Sequence, residues 1–223
     1  MNKFLFYLLV LTTFNTFALD LFKAEYTVFK DGKKIGLSSI VLTYDAPFFT
    51  VIDKTNGTHG MASFLGFKRS ESTLFTEENG VYYPDSYLMN QKVAFNKRKS
   101  EYQIDKQTQM AYGKYKDKDW QTKITGNFLT PNLVSIKLSQ DICSGKTSNL
   151  NYPVLKRGKI SNYTFKIISE SDGIIEVDKI HSKATRTTKT WLDKSQNCLP
   201  IKTYHKEEDE DPLETKLIEI IFP

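Results

Sequence analysis

Beyond its first 18 residues the chain has no apolar run near the roughly 20 residues that a spanning helix requires. A mean hydropathy of −0.42 and 26% charged residues fit a solvated domain with no later membrane span. Histidine is scarce, and His59, His181 and His205 are scattered, none beside a second ligand at a metal-site spacing. No metal and no cofactor is therefore expected. There is no Gly-x-Ser-x-Gly elbow to expose a nucleophile and no glycine-rich loop to cradle phosphate. These absences point away from an enzyme. Catalytic groups also assemble from distant positions, so a hydrolase of envelope polymers, with acid and base among Glu71, Asp85 and His59, stands as a third reading. Low-complexity tracts, internal repeats and Ser/Pro-rich linkers are missing too, which favours one domain.

Only two cysteines occur, Cys143 and Cys198. In an oxidising compartment an even pair reads as a disulfide, closing a loop of about 55 residues for roughly 4 kcal/mol of stabilisation in the chain-entropy model. Two buried free thiols, packing as small hydrophobes, are the alternative.

The N-terminus is what the chain has in full. Lys3, an apolar run from Phe4 to Phe14, and the small residues Thr16 and Ala18 around Phe17 form the tripartite pattern of a Sec-type signal peptide over residues 1–18, with cleavage between Ala18 and Leu19. No cysteine follows that point to be acylated. The expectation is a periplasmic protein that is not a lipoprotein, with one β-rich domain over residues 19–223. The net charge of +5 comes from clusters such as Lys97-Arg98-Lys99 and Lys114, Lys116 and Lys118. Alternating lysines on strands mark solvated or blunted edges, and no nucleic-acid partner is expected.

Alternation runs through the rest. Phe22, Ala24, Tyr26 and Val28 share one parity, with Lys23, Glu25 and Thr27 on the other, the period-2 pattern of a half-buried strand. Asp31-Gly32 and Asp172-Gly173 are hairpin turns. Further strands are expected at about 35–44, 48–55, 64–75, 81–90, 93–104, 109–116, 160–170, 174–182, 185–192, 200–206 and 215–222, joined by short turns into an antiparallel meander. The one helix runs from about 130 to 143, with Thr130 as N-cap, Pro131 in the first turn and Gly145 as the stop. Its apolar face needs a surface. The fold class is mainly β: a strongly curved antiparallel sheet or open β-barrel with one short covering helix. An outer-membrane barrel is disfavoured by charge where a lipid-facing band should run. The sequons at Asn56 and Asn162 are read as incidental.

Arg69 and Glu71 fall on one parity with Thr73 and Phe75. Facing inward they form a paired ion couple at the base of a pocket, and facing outward a cross-strand surface pair. Tyr26, Phe67, Tyr163 and Trp191 are aromatic candidates for the wall of a cavity, or for core filling.

The chain resembles the DUF3108 family of exported bacterial proteins. The resemblance rests on Phe22-x-Ala24-x-Tyr26-x-Val28 with Gly32 and Ile35-Gly36, Arg69-Ser70-Glu71-Ser72 before Asn79-Gly80, and Pro84-x-x-Tyr87. It continues through Leu133-Val134-Ser135, Tyr163-x-Phe165, Trp191-Leu192 and Leu199-Pro200. It covers nearly all of residues 19–223 and implies periplasmic residence and a β-rich fold, but no activity. The cysteine pair is not part of that pattern. The architecture is also similar to the half-open barrels that carry lipids and lipoproteins across the periplasm. The leading expectation is a non-enzymatic protein that binds an apolar or amphipathic envelope ligand, a lipid or lipoprotein, in a curved-sheet cavity. The alternative is an envelope adaptor that docks another protein through strand edges or the acidic loop Glu207 to Asp211.

Overall fold

The computed structural model describes residues 19–223, so the expected signal peptide and the Ala18 side of its expected cleavage point lie outside the described residues. Strands dominate because apolar and polar side chains alternate along them. The first strand, β1 (Phe22–Lys30), buries Phe22, Ala24, Tyr26 and Val28 and turns the intervening residues outward. It is followed by β2 (Lys33–Asp45), β3 (Phe48–Gly57), a single-turn helix α1 (Gly60–Phe64), β4 (Lys68–Glu78), β5 (Val81–Val93), β6 (Asn96–Asp105), β7 (Met110–Tyr115) and β8 (Lys118–Lys123). Helix α2 (Leu133–Cys143) separates these from β9 (Leu150–Lys156), β10 (Lys159–Ser171), β11 (Ile174–Ile180), β12 (Thr187–Asp193), β13 (Leu199–Lys206) and β14 (Leu213–Ile221). The hairpins at Asp31-Gly32, Asn79-Gly80 and Asp172-Gly173 hold both turn residues at positive φ, the geometry that matches strand twist.

All fourteen strands form one antiparallel sheet, ordered β8-β7-β6-β5-β4-β3-β2-β1-β14-β13-β12-β11-β10-β9. The first and last strands meet in its middle, and the edges are β8 and β9. The ladder does not close between those edges. Instead an isolated parallel bridge joins Leu129 to Val154, with the Leu129 amide donating to Pro153 O (2.8 Å) and the Leu155 amide to Leu129 O (3.0 Å). The Tyr102 hydroxyl donates to Leu155 O and the Thr122 hydroxyl to Gly158 O. Trp120 packs over the bare backbone of Gly113, where a Cβ would stand 2.3 Å from its ring. The result is an open barrel with a side-chain seam.

In a meander, alternate turns share an end. One end carries α1, the β5–β6, β7–β8 and β9–β10 turns and the loops 181–186 and 207–212. The opposite end carries α2, which lies against β9 and β13 and buries Leu133, Val134, Ile136, Leu138 and Ile142. Cys143, the last residue of α2, is disulfide-bonded to Cys198 beside β13 (S–S 2.04 Å). Helix α2 is thus a floor, and the α1 end is the mouth.

Local boundaries differ from the sequence reading where tertiary contacts compete. The expected strand over 64–75 begins at Lys68, because residues 60–64 form α1 and Gly66 then turns at φ +58°. Helix α2 begins three residues after Thr130, with Asn132 at its N-cap position. Thr130 still accepts from the Leu133 amide through Oγ1 (3.4 Å), and it joins a buried cluster in which the Thr73 hydroxyl donates to Asn132 Oδ1 (2.7 Å) and lies 2.8 Å from Thr130 Oγ1. Strands β8 and β9 went unanticipated because Lys, Asp, Asn and Pro interrupt their alternation.

Candidate functional site

The inward parity of each strand decides what the barrel holds. Above the α2 floor lies a cavity of about 310 Å³. Pro131, Val134, Ser135 and Leu138 form its base, and the strands contribute Tyr26, Ile40, Tyr163, Phe165, Leu192 and Lys179, with Ser38, Thr188, Thr190, Thr203 and Thr215 between them. Its walls are therefore apolar, with hydroxyls spaced around them and one cation. Three hollows are roomier: those of about 810 and 890 Å³ are lined largely by outward-facing side chains such as Leu88, Glu101 and Gln103 or Lys97, Lys99 and Lys114, and one of about 440 Å³ lies by the β4–β5 and β6–β7 turns beside Ile124 and Phe128.

Two features of this wall are chemically uncommon. Tyr26 is 3% exposed, lines the cavity, and its hydroxyl has no hydrogen-bond partner. Burial, and then the nearby Asp53, push that phenol up. Lys179 follows Ile175 and Val177 on the inward parity of β11, and its ammonium lies 3.0 Å from the centre of the Tyr163 ring. It makes no ion pair among the described residues. Burial, and then the neighbouring cations Lys156 and Arg186, push it down to about 8.

Arg69 and Glu71 face inward and are paired, as one of the two sequence readings has it. The Arg69 Nη2 and Nε both donate to Glu71 Oε1, the latter at 2.8 Å, and Nη1 donates to Gln91 Oε1 (2.9 Å). The Tyr87 hydroxyl donates to Glu71 Oε2 (2.7 Å). Asp53, the direct partner of Glu71 across the β3–β4 ladder, leaves Oδ1 unpartnered. Burial first, then Glu71, hold the Asp53 carboxyl well above the usual carboxylate range. This cluster stands beside the cavity, near enough for Glu71 to act on Tyr163 and Lys156.

Of the aromatic candidates, Tyr26 and Tyr163 line the cavity. Trp191 does not: Thr190 and Leu192 take the inward parity of β12, so Trp191 lies on the outer face under the Lys202 ammonium (4.6 Å). Phe67 sits in the connection between α1 and β4, where its carbonyl accepts from Gly57, and is likewise outside the lining. Lys179 and Asp53 were missed, although Ile175-x-Val177-x-Lys179 and Val51-x-Asp53 carry the signal that would have found them.

The proposed acid–base residues do not converge. Asp85 pairs with Lys106 (2.7 Å), His59 is exposed beside Thr58, and Glu71 is inside the barrel. Among the described residues no group of three His, Cys, Asp or Glu is arranged to hold a metal ion. No helix among them is long and apolar enough to cross a membrane. The acidic loop is bonded locally: Glu207 pairs with Arg186 (2.8 Å), and Glu208 accepts from the Thr185 hydroxyl.

Neither a known family model nor a curated protein sequence matches the chain. Its fold is similar to the crystal structure of a beta-barrel-like protein of domain of unknown function DUF1849 from Brucella abortus, with a TM-score of 0.56 and 9% identity. That match covers 92% of this chain and 98% of the other. The likeness shows the fold class, a barrel-like antiparallel β-sheet, and at that identity it speaks to fold alone.

Proposed function

We propose that this is a non-enzymatic binding protein of the bacterial periplasm that holds a small apolar or amphipathic envelope ligand inside its open barrel. The observation that carries the reading is the cavity over α2, an apolar chamber edged with hydroxyls and carrying one unpaired ammonium, Lys179. Mostly apolar walls with a few placed polar groups are the usual make-up of small-ligand sites. The N-terminal signal pattern, the likeness to DUF3108 motifs and the Cys143–Cys198 disulfide support the compartment. Native mass spectrometry of protein purified without detergent, followed by solvent extraction, tests the reading. A bound species is expected in the natural protein and not in Thr190→Trp, which fills the chamber from β12. An empty natural protein that also takes up no amphiphile would overturn it.

A second reading, an envelope adaptor, is favoured by one observation at the mouth. Met61, Phe64 and Phe95 are 68%, 82% and 101% exposed on α1 and the β5–β6 turn, which are joined by a hydrogen bond from the Ala94 amide to Leu65 O. Photocrosslinking from position 64 in cells should trap one defined protein if this surface docks a partner.

A further inference from the structure

The cavity wall is not evenly polar. Its hydroxyls are neutral, and its single charge, Lys179, is a half-buried ammonium with no carboxylate bound to it. Leaving such a cation unpaired costs stability unless something else compensates it. The Tyr163 ring face supplies part of that compensation from one side. The carboxyl groups that could supply the rest are engaged elsewhere. Glu71 is held by Arg69 and Tyr87, Glu207 by Arg186, and burial holds the Asp53 carboxyl well above the usual carboxylate range. Lys156 and Arg186 add positive charge around Lys179 rather than negative. The Arg186 Nε is itself buried and without an acceptor. The site therefore has one unpaired cationic donor facing the cavity, the Lys179 ammonium, and another unpartnered donor nearby in Arg186 Nε.

We propose that the ligand of this cavity is an anionic amphiphile, whose carboxylate or phosphate head group is bound by Lys179 while its aliphatic chain lies on Ile40, Val134, Leu138 and Leu192. This rests on the binding-protein reading and specifies its ligand. The geometry separates the two ends: apolar side chains of α2 form the base, whereas Lys179 stands on β11, two residues before the loop 181–186 at the mouth. A ligand so held has its chain toward the floor and its charge toward the opening. An anion there receives charge-assisted hydrogen bonds in a partly dry site, which are the strong ones. A cationic or uncharged head leaves Lys179 as it is, uncompensated.

The test uses four amphiphiles of equal chain length: dodecanoate, dodecyl phosphate, dodecanol and dodecyltrimethylammonium. Binding to delipidated protein is measured by calorimetry. Dodecanoate or dodecyl phosphate should bind at least about tenfold more tightly than dodecanol, and the quaternary ammonium more weakly still. The preferred anion tells a carboxylate source from a phosphate source. Lys179→Met should lose about tenfold in affinity for the anion with dodecanol unchanged, while Lys179→Arg retains most of it, and thermal melting of each variant confirms that the barrel is folded. If anions and dodecanol bind alike and Lys179→Met alters neither, the head-group inference is overturned and the cavity reading survives. If no amphiphile binds, both fall.

Discussion

Asp53 and Glu71 are direct partners across the β3–β4 ladder, both turned into the barrel, and the guanidinium between them, Arg69, is hydrogen-bonded to Glu71. One carboxyl is thus compensated and the other is not, which gives the two residues opposite mutational signatures. Glu71→Gln should cost about 1–3 kcal/mol, because Arg69 and Tyr87 lose a charged acceptor. Asp53→Asn should cost less than Glu71→Gln, since Asp53 has no ion-pair partner to lose. The folded Asp53 is raised above its ordinary value. The stability it contributes is therefore full below the unfolded value and lost as pH rises through the folded one. Urea midpoints measured from acidic to alkaline buffer should fall less steeply for Asp53→Asn.

Asp141 behaves in the reverse sense. Burial opposes its charge, but donors from Lys137 (2.5 Å), Lys146 (3.0 Å) and the Tyr152 hydroxyl (2.9 Å) hold it below the usual range. The Tyr152 bond fastens α2 to β9. The stability these donors supply is present above the unfolded value and lost as pH falls through the lowered one. Asp141→Asn should destabilise by about 1–3 kcal/mol at pH 7 and lose that difference in strong acid. Equilibrium unfolding at the two pH values checks it.

Lys179 sets stability against binding. Its folded value of about 8 lies below the ordinary 10.5, so the cost of holding it charged is present at pH 7 and relieved as pH climbs through that interval. Lys179→Met should therefore melt at a higher temperature than the natural protein at neutral pH, with the gap narrowing in alkaline buffer. Affinity for an anionic amphiphile should decline above about pH 8 as the ammonium loses its proton. The groups around it, Lys156 on β9, Tyr163 on β10, and His181 and Arg186 in the following loop, supply no carboxylate to counter that trend.

Removing the disulfide by Cys143→Ala with Cys198→Ala should cost about 2–5 kcal/mol, the usual range for a native bridge, read from denaturant curves. The bond fixes the end of α2 to the β12–β13 connection, so the cavity floor should loosen first. Hydrogen exchange should quicken in residues 133–143 while the β2–β5 ladders keep their protection.

At the seam, Gly113→Ala places a methyl group against Trp120 and the Glu101 carbonyl, at 2.3 and 2.5 Å. Overpacking of this kind costs about 1–3 kcal/mol. Thermal melting should register it, and Trp120 fluorescence should shift as the ring is displaced.

Much of this fold was legible because period-2 alternation reports directly on which face a strand buries. Phe22 to Val28 read correctly, as did the glycine turns and the cysteine pair, while alternation alone left Arg69 to Phe75 open between the two faces. What stayed hidden depended on partners distant in the chain. Thr130 caps as its chemistry suggests, accepting from the Leu133 amide (3.4 Å), but it also contacts Thr73, 57 residues away, which no local pattern shows. Trp191 reads as a wall residue until the inward positions of β12 are fixed by their neighbours. Lys179 escaped notice for another reason: a lysine in a strand suggests solvent, and only its parity with Ile175 and Val177 places it inside.

The strand order amounts to a ring cut in an unusual place. Where the backbone is interrupted, between β14 and β1, the strands are fully hydrogen-bonded. Where it is continuous, from β8 through α2 to β9, they are joined only by the short Leu129 bridge and by side chains. Opening along that line therefore breaks the Leu129 bridge and side-chain contacts but no strand ladder. A cross-link between β8 and β9 should slow exchange of a bound ligand while leaving its equilibrium affinity nearly unchanged. A permuted chain joined through the present termini should keep the whole sheet.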